Sequence, residues 1–330
     1  MKINVLGWYG MNNVGDEVFR HVFCELLAGH ELRFVTPPSS CDDCDVVVLG
    51  GGAVVSPFYL ERLPSGNYDL YAVGVDLAYE TEADLLKGLP IRGAVMRNRA
   101  DLARMPCHAE YAPDLAFLMR PSGADVLSRY KKTAKKTVGV FATDYVNPAI
   151  DRPVNEFSGR AASFKTGMAK ELDLLAAAGY EVILVPCATG GYGDDRRINL
   201  DIAAFMKGKP TLVFDTLSPQ EMIDLIAGLD AAVCMRYHSH IFCVVAGTPF
   251  VSVEYTRKVR CFLSENGIDS VTACTWAGST FVADGLAGRV ASSKTVISAD
   301  PLHAEVAAVT DRFVNRWLRG ESPACHRRSV

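Results

Sequence analysis

An excess of charge of either sign is missing from this chain. Against 34 lysines and arginines stand 38 aspartates and glutamates, a net charge of -4 over 330 residues. That balance gives no footprint for nucleic acid, whose backbone is bound chiefly through clustered cations. Also missing is an apolar run near the roughly 20 residues that span a bilayer. The opening MKINVLGWYG reads as a strand and is too short in apolar residues for a signal peptide. The expectation is a cytoplasmic protein with no membrane span, at most in transient contact with a membrane, its oligomeric state open. A zinc site is short of ligands, because Cys41-x-x-Cys44 has no second such pair. Its enclosed Asp42 and Asp43 oppose the thiolate that a redox pair needs, so a plain loop is expected, with no metal and no cofactor.

What the chain does have is alternation. Short β-branched runs such as VVVL (46–49) and TVGVF (137–141) alternate with stretches of helical period, the pattern of doubly wound parallel sheets. At 330 residues the length suits two domains of about 150 residues each. Residues 1–121 are read as one Rossmann-like domain, the polar and basic 122–136 as a linker, 137–300 as a second Rossmann-like domain, and 301–330 as a terminal helix crossing back toward the first, plus a tail. The predicted fold is α/β, two Rossmann-like doubly wound domains facing across a cleft, GT-B-like.

Residues 229–258 concentrate the chemistry. LDAAVCM (229–235) is a buried strand by composition, and Ile241, Val244 and Val245 then recur at helical spacing until Gly247 and Pro249 stop them. Arg236 and His238 therefore sit at a strand-to-helix turn. PFVSV (249–253) is the next strand and delivers Glu254, Tyr255 and Lys258 to the following turn. Carboxyl ends of strands in such sheets are where ligands bind, so a guanidinium, an imidazole and an amine are expected in one crevice. His240, two positions past His238, falls on the other side of the helix and reads as structural.

The loop GMNNVGDE (10–17) has the outline of a phosphate-binding loop but carries Asp16 where the lysine would stand. Asn13, Asp16 and Glu17 read either as ligands for sugar hydroxyls or as helix caps and dipole partners, and the two are compatible. Gly50, Gly51 and Gly52 close the strand at 46–49. They admit a close ligand or backbone, or supply positive φ. Arg97 ends another strand and is expected to point into the crevice.

The ordered set GMNNVGDE (10–17), VVVLGGG (46–52), VMRNR (95–99), PDLAF (113–117), MRYHSHIFCVVAGTPFV (235–251) and EYTRK (254–258) resembles the polysaccharide pyruvyl transferase family. The resemblance implies a phosphoenolpyruvate-dependent enzyme that moves an enolpyruvyl group onto two hydroxyls of a lipid- or polymer-linked sugar, making a cyclic ketal and releasing phosphate. It implies that Arg97, Arg236 and Lys258 bind the donor, that His238 protonates it, and that Asp16 or Glu17 serves the acceptor. Tyr255, Asn13, Gly51 and Gly52 complete the expected binding set. The chain departs from the family at Asn98, where an acid is usual, which leaves the donor arginine open between Arg97 and Arg99. Two alternatives stand beside this reading: a nucleotide-sugar glycosyltransferase with Glu254 on the ribose, and a non-catalytic glycan-binding protein.

Overall fold

The computed structural model describes residues 1–330 except 78–79, 145–157, 191–192, 255, 269–271, 275, 278–279, 282–284, 294–296 and 320–330. The chain forms two compact units. One comprises Met1–Met11, Asp16–Met119 and Ala299–Val330; the other comprises Asn12–Gly15 and Arg120–Ser298.

The first unit is built on six parallel strands: β1 (Lys2–Leu6), β2 (Glu31–Val35), β3 (Val46–Gly52), β4 (Asp69–Val75), β5 (Ile91–Met96) and β6 (Ala109–Tyr111), in the order β2-β1-β3-β4-β5-β6. The run Val47, Val48 and Leu49 is wholly buried, as a strand covered on both faces must be. Helix α1 (Val14–Leu26) packs on the sheet through Val18, Phe19, Val22 and Phe23. Each of these burials contributes about 1.5–3 kcal/mol. A short helix, α2 (Pro57–Leu60), follows β3 and buries none of its residues. The segment Glu80–Leu86, between β4 and β5, is a 3-10 helix.

In the second unit β7 (Lys136–Phe141), β8 (Tyr180–Leu184), β9 (Thr211–Leu212), β10 (Ala231–Cys234), β11 (Phe250–Val253) and β12 (Thr272–Cys274) form another parallel sheet, ordered β12-β11-β10-β7-β8-β9. Between them lie α3 (Ser158–Ala177), α4 (Asp195–Phe205), α5 (Pro219–Ala227), α6 (Tyr237–Ala246) and α7 (Arg257–Glu265). A small hairpin, β13 (Trp276–Ala277) with β14 (Thr280–Phe281), precedes α8 (Leu286–Ser292). Helix α5 opens with the Ser218/Glu221 capping box and a proline in its first turn, as its sequence foretells.

The stretch read as a linker is packed rather than slack. Val126, Leu127 and Tyr130 are buried, the Ser122 amide donates to Asp224, and the amides of Lys132 and Thr133 donate to Glu181. Its lysines face solvent, and that is all composition could report. The last helix, α9 (Asp300–Asn315), belongs to the first unit. Phe313 and Trp317 pack on Tyr71, whose hydroxyl donates to the Trp317 carbonyl at 3.1 Å, and Trp317 fills the space over Gly93.

Candidate active site

In each sheet the chain leaves in one direction and later resumes on the other side of its first strand. That puts the switch points between β1 and β3 and between β7 and β10, the positions at which open α/β sheets bind ligands.

At the second switch point, backbone amides of Met235 and Arg236 both donate to the Phe141 carbonyl that ends β7, which fixes the exit from β10. Arg236 is the extended residue before α6, and Gly247 ends that helix in the left-handed conformation (φ 70°) that glycine tolerates. The Arg236 guanidinium lies edge-on against Asp195, with Nε 3.0 Å from Oδ2 and Nη2 2.5 Å from Oδ1. Asp195, itself fully buried, also accepts the amides of Cys187 at 3.1 Å and Ala188 at 2.9 Å. The carboxylate is thus immobile and sets the plane of the guanidinium. Sequence reasoning missed this partner. Its one signal is the Asp194-Asp195 pair at a helix start, where Asp194 caps α4 and Asp195 turns inward.

His238 is half-buried, with the Tyr237 ring edge-on at 5.1 Å and Phe242 at 5.9 Å. Gly15 also lies against it. A Cβ at that position would stand 2.1 Å from His238 Nδ1, so only glycine leaves room for the imidazole as placed. Residues 12–15 are stitched into this unit through the backbone. Asn13 bridges Ala188, Val14 N donates to the Cys187 carbonyl at 2.9 Å, and Thr189 N donates to Asn12 at 2.9 Å. Asn13 also caps α1, accepting from Gly15 N at 3.2 Å. The segment 187–189 therefore supports Arg236 through Asp195 on one side and the glycine loop beside His238 on the other.

Lys258, exposed on α7, holds its Nζ 5.6 Å from the Tyr237 ring. Tyr237 thus receives both the imidazole and the ammonium, which brings His238 and Lys258 to one side chain. Glu254 pairs with Arg260 at 2.5 Å, and Tyr255 lies outside the described residues. His240 sits on the far side of α6 as expected. Its Nδ1 is 3.0 Å from the Arg236 carbonyl and Nε2 is 2.8 Å from Ser252 Oγ, and burial pulls its pKa down to about 4.

The first unit arranges its candidates differently. Arg97 is enclosed, its side chain 2% exposed, with Nη1 2.7 Å from Asp114 and Nη2 2.9 Å from Asp76, over the Phe19 ring. Two carboxylates already outweigh its charge, so the guanidinium ties β4, β5 and the 113–117 turn together. Asn98, in place of an acid, caps the following turn by accepting from Ala100 N. Arg99 is exposed, over the Tyr111 ring at 3.5 Å and 3.2 Å from Glu305. Glu17 closes the glycine loop by accepting the Gly10 and Met11 amides at 2.5 and 3.2 Å. Gly51 and Gly52 have φ of 72° and 83°. The space over Gly51 is filled by Phe19, whereas Gly52 meets only Asp16 Oδ1, at 3.8 Å. Of the three glycines, Gly52 is the one with room above it.

Among the described residues no three His, Cys, Asp or Glu side chains gather as a metal site, and no helix is long and apolar enough to cross a membrane.

Two Rossmann-like α/β units, each with polar side chains at its switch point, define a scaffold of the GT-B-like class. In accord with this, the kitacinnamycin glycotransferase superposes with a TM-score of 0.51 at 12% identity, covering 98% of this chain and 99% of that one. The Escherichia coli ADP-heptose lipopolysaccharide heptosyltransferase II gives 0.38 at 13% identity over 94% and 98%. Within that class, residues 95–257 match the family model "Polysaccharide pyruvyl transferase". The amylovoran biosynthesis protein AmsJ of Erwinia amylovora is 24% identical over 115 residues, which are 33% of this chain and 28% of that protein. The match thus spans under a third of the curated relative.

Proposed function

We propose that the protein is a pyruvyl transferase that takes the enolpyruvyl group from phosphoenolpyruvate and closes it as a ketal on two hydroxyls of a glycan sugar. The single observation that carries this is the Arg236–His238 turn, where a guanidinium held by a buried carboxylate stands two residues from an imidazole at the start of α6. The family match over 95–257 supports the same reading.

Phosphoenolpyruvate offers a carboxylate and a phosphate, and an arginine with a fixed plane recognises such oxyanions by geometry as well as charge. Lys258 adds a point charge, and the first amides of α6 add donors. His238 delivers a proton to C3 of the enol, which makes C2 electrophilic; positioned acid catalysis of this kind contributes about 10²- to 10⁴-fold. A sugar hydroxyl adds to C2, the C2–O bond to phosphate breaks, and a second hydroxyl closes the ring. One hydroxyl proton replaces the one His238 gave to the methyl group, and the other departs with phosphate. Asp16 is the group assigned to accept an acceptor proton, because Glu17 is spent on the loop amides. Arg97 is assigned to holding the first unit together.

The test incubates the protein with phosphoenolpyruvate and a panel of glycosides, following phosphate release and the mass of the sugar. Phosphate release coupled to a pyruvate ketal on one glycoside is expected. Turnover of a nucleotide sugar, with phosphoenolpyruvate untouched, would reassign the protein to glycosyl transfer.

A further inference from the structure

The carboxyl ends of β1 and β3 carry an aromatic cluster to which the donor chemistry gives no part. Trp8 follows β1, and Phe58 and Tyr59 lie on α2, which follows β3. The Trp8 and Phe58 rings are 6.0 Å apart, and Phe58 and Tyr59 meet edge-on at 5.2 Å. Phe58 is 48% exposed. Tyr59 and Leu60 anchor this four-residue helix by packing partly buried against the core, and Phe58 between Pro57 and Tyr59 is left facing solvent.

Polar groups stand beside these rings. Asp16 lies next to Gly52, the glycine with room over it, and its charge reaches both Tyr9 and Tyr59. Burial, reinforced by Asp16, keeps the Tyr59 phenol protonated and so a hydrogen-bond donor. The cluster occupies the switch point of the first sheet.

A ligand suited to this surface has one apolar face and a rim of hydroxyls, and it carries no negative charge near Asp16. A pyranose ring meets all three conditions: its axial C–H groups lie against the electron-rich faces of aromatic rings, and its hydroxyls donate to a carboxylate. We infer that Trp8, Phe58, Tyr59 and Asp16 form a pyranose-binding subsite in the first unit, the rings taking the C–H face of the sugar and Asp16 its hydroxyls. The role of this subsite as the acceptor site rests on the pyruvyl-transfer reading; saccharide binding there does not.

The experiment titrates the full chain with methyl galactosides, mannosides and N-acetylhexosaminides while following tryptophan fluorescence, with calorimetry in parallel. Binding of at least one pyranoside with a fluorescence change is expected. Trp8→Phe should remove that change, since the remaining tryptophans, Trp276 and Trp317, lie elsewhere in the sequence. Phe58→Ala should raise Kd about two- to tenfold, the range of one aromatic contact, and Phe58→Tyr should restore it. Phosphoenolpyruvate binding should be unchanged in both. The inference is overturned if no pyranoside binds, if Phe58→Ala binds as tightly as the wild type, or if the cluster binds anionic vesicles instead of glycosides. Pyranoside binding that depends on Phe58, with no turnover of phosphoenolpyruvate, keeps the subsite and sinks the activity. Turnover with an acceptor KM indifferent to Phe58 does the reverse.

Discussion

Replacing Gly15 by alanine is a one-carbon test of the catalytic assignment. The new Cβ would stand 2.1 Å from His238 Nδ1, where real contacts stay beyond 3.0 Å, so the imidazole must move by about 0.9 Å or more. A misplacement near 1 Å costs about 10²-fold in rate when the displaced group does chemistry, and complete loss of a general acid costs about 10²- to 10⁴-fold. Stability moves differently. Gly15 lies in the first turn of α1, where alanine gains up to about 1 kcal/mol in helix propensity. That gain offsets the cost of turning the ring, and the melting temperature should stay within about 4 °C. The assay is phosphate release from phosphoenolpyruvate at saturating acceptor, for Gly15→Ala, His238→Ala and the double variant. kcat should fall about 10²-fold in the first, and the double variant should be no slower than His238→Ala alone, since two changes acting through one group do not add. Full turnover by Gly15→Ala, or losses that multiply in the double variant, would refute the assignment of His238.

Asp195→Asn keeps the shape of the side chain but removes the charge that orients Arg236. KM for phosphoenolpyruvate should rise by about tenfold or more with kcat less affected, on the scale of a charge-assisted hydrogen bond of about 1.5–3 kcal/mol, as steady-state kinetics would show. Arg97→Met leaves Asp76 and Asp114 buried without their cation; unfolding in urea should show a loss of about 3–5 kcal/mol with an unchanged KM for phosphoenolpyruvate. A higher KM at unchanged stability would place Arg97 at the donor instead. His240 is neutral when folded, with its pKa lowered from 6.5 to about 4. The unfolded chain therefore binds the extra proton between those values, so this contribution to stability is full above pH 6.5 and is lost as pH falls toward 4. It amounts to a few kcal/mol at most, and pH-dependent melting of the wild type against His240→Gln isolates it.

Local chemistry was legible in the sequence wherever it repeats along the chain. The period of Ile241, Val244 and Val245 with the stop at Gly247 located α6, and Ser218-Pro219 with Glu221 located the start of α5. The two-residue offset that sent His240 away from His238 followed from helix geometry alone. Partner choice over long separations was not legible, because no local pattern encodes it. Nothing near Arg97 in the chain announces Asp76 or Asp114, and residues 41 positions apart join in the Asp195–Arg236 clamp. The triple glycine was readable only as permissive. That Phe19 fills the space over Gly51, while Gly52 stays open beside Asp16, is a matter of tertiary packing.

The docking of residues 12–15 onto 187–189 also bears on how this chain can be divided. A fragment of residues 120–298 carries all of β7–β12 together with Arg236 and Lys258, and looks by connectivity like a self-sufficient domain. It would nonetheless lack the short strip that pairs with Asn13's partner Ala188, occupies the Cys187 carbonyl and walls His238 with Gly15. The second unit is thus completed by a piece of the chain made more than a hundred residues earlier. Dissection and domain-swapping experiments need to graft that strip along with the fragment.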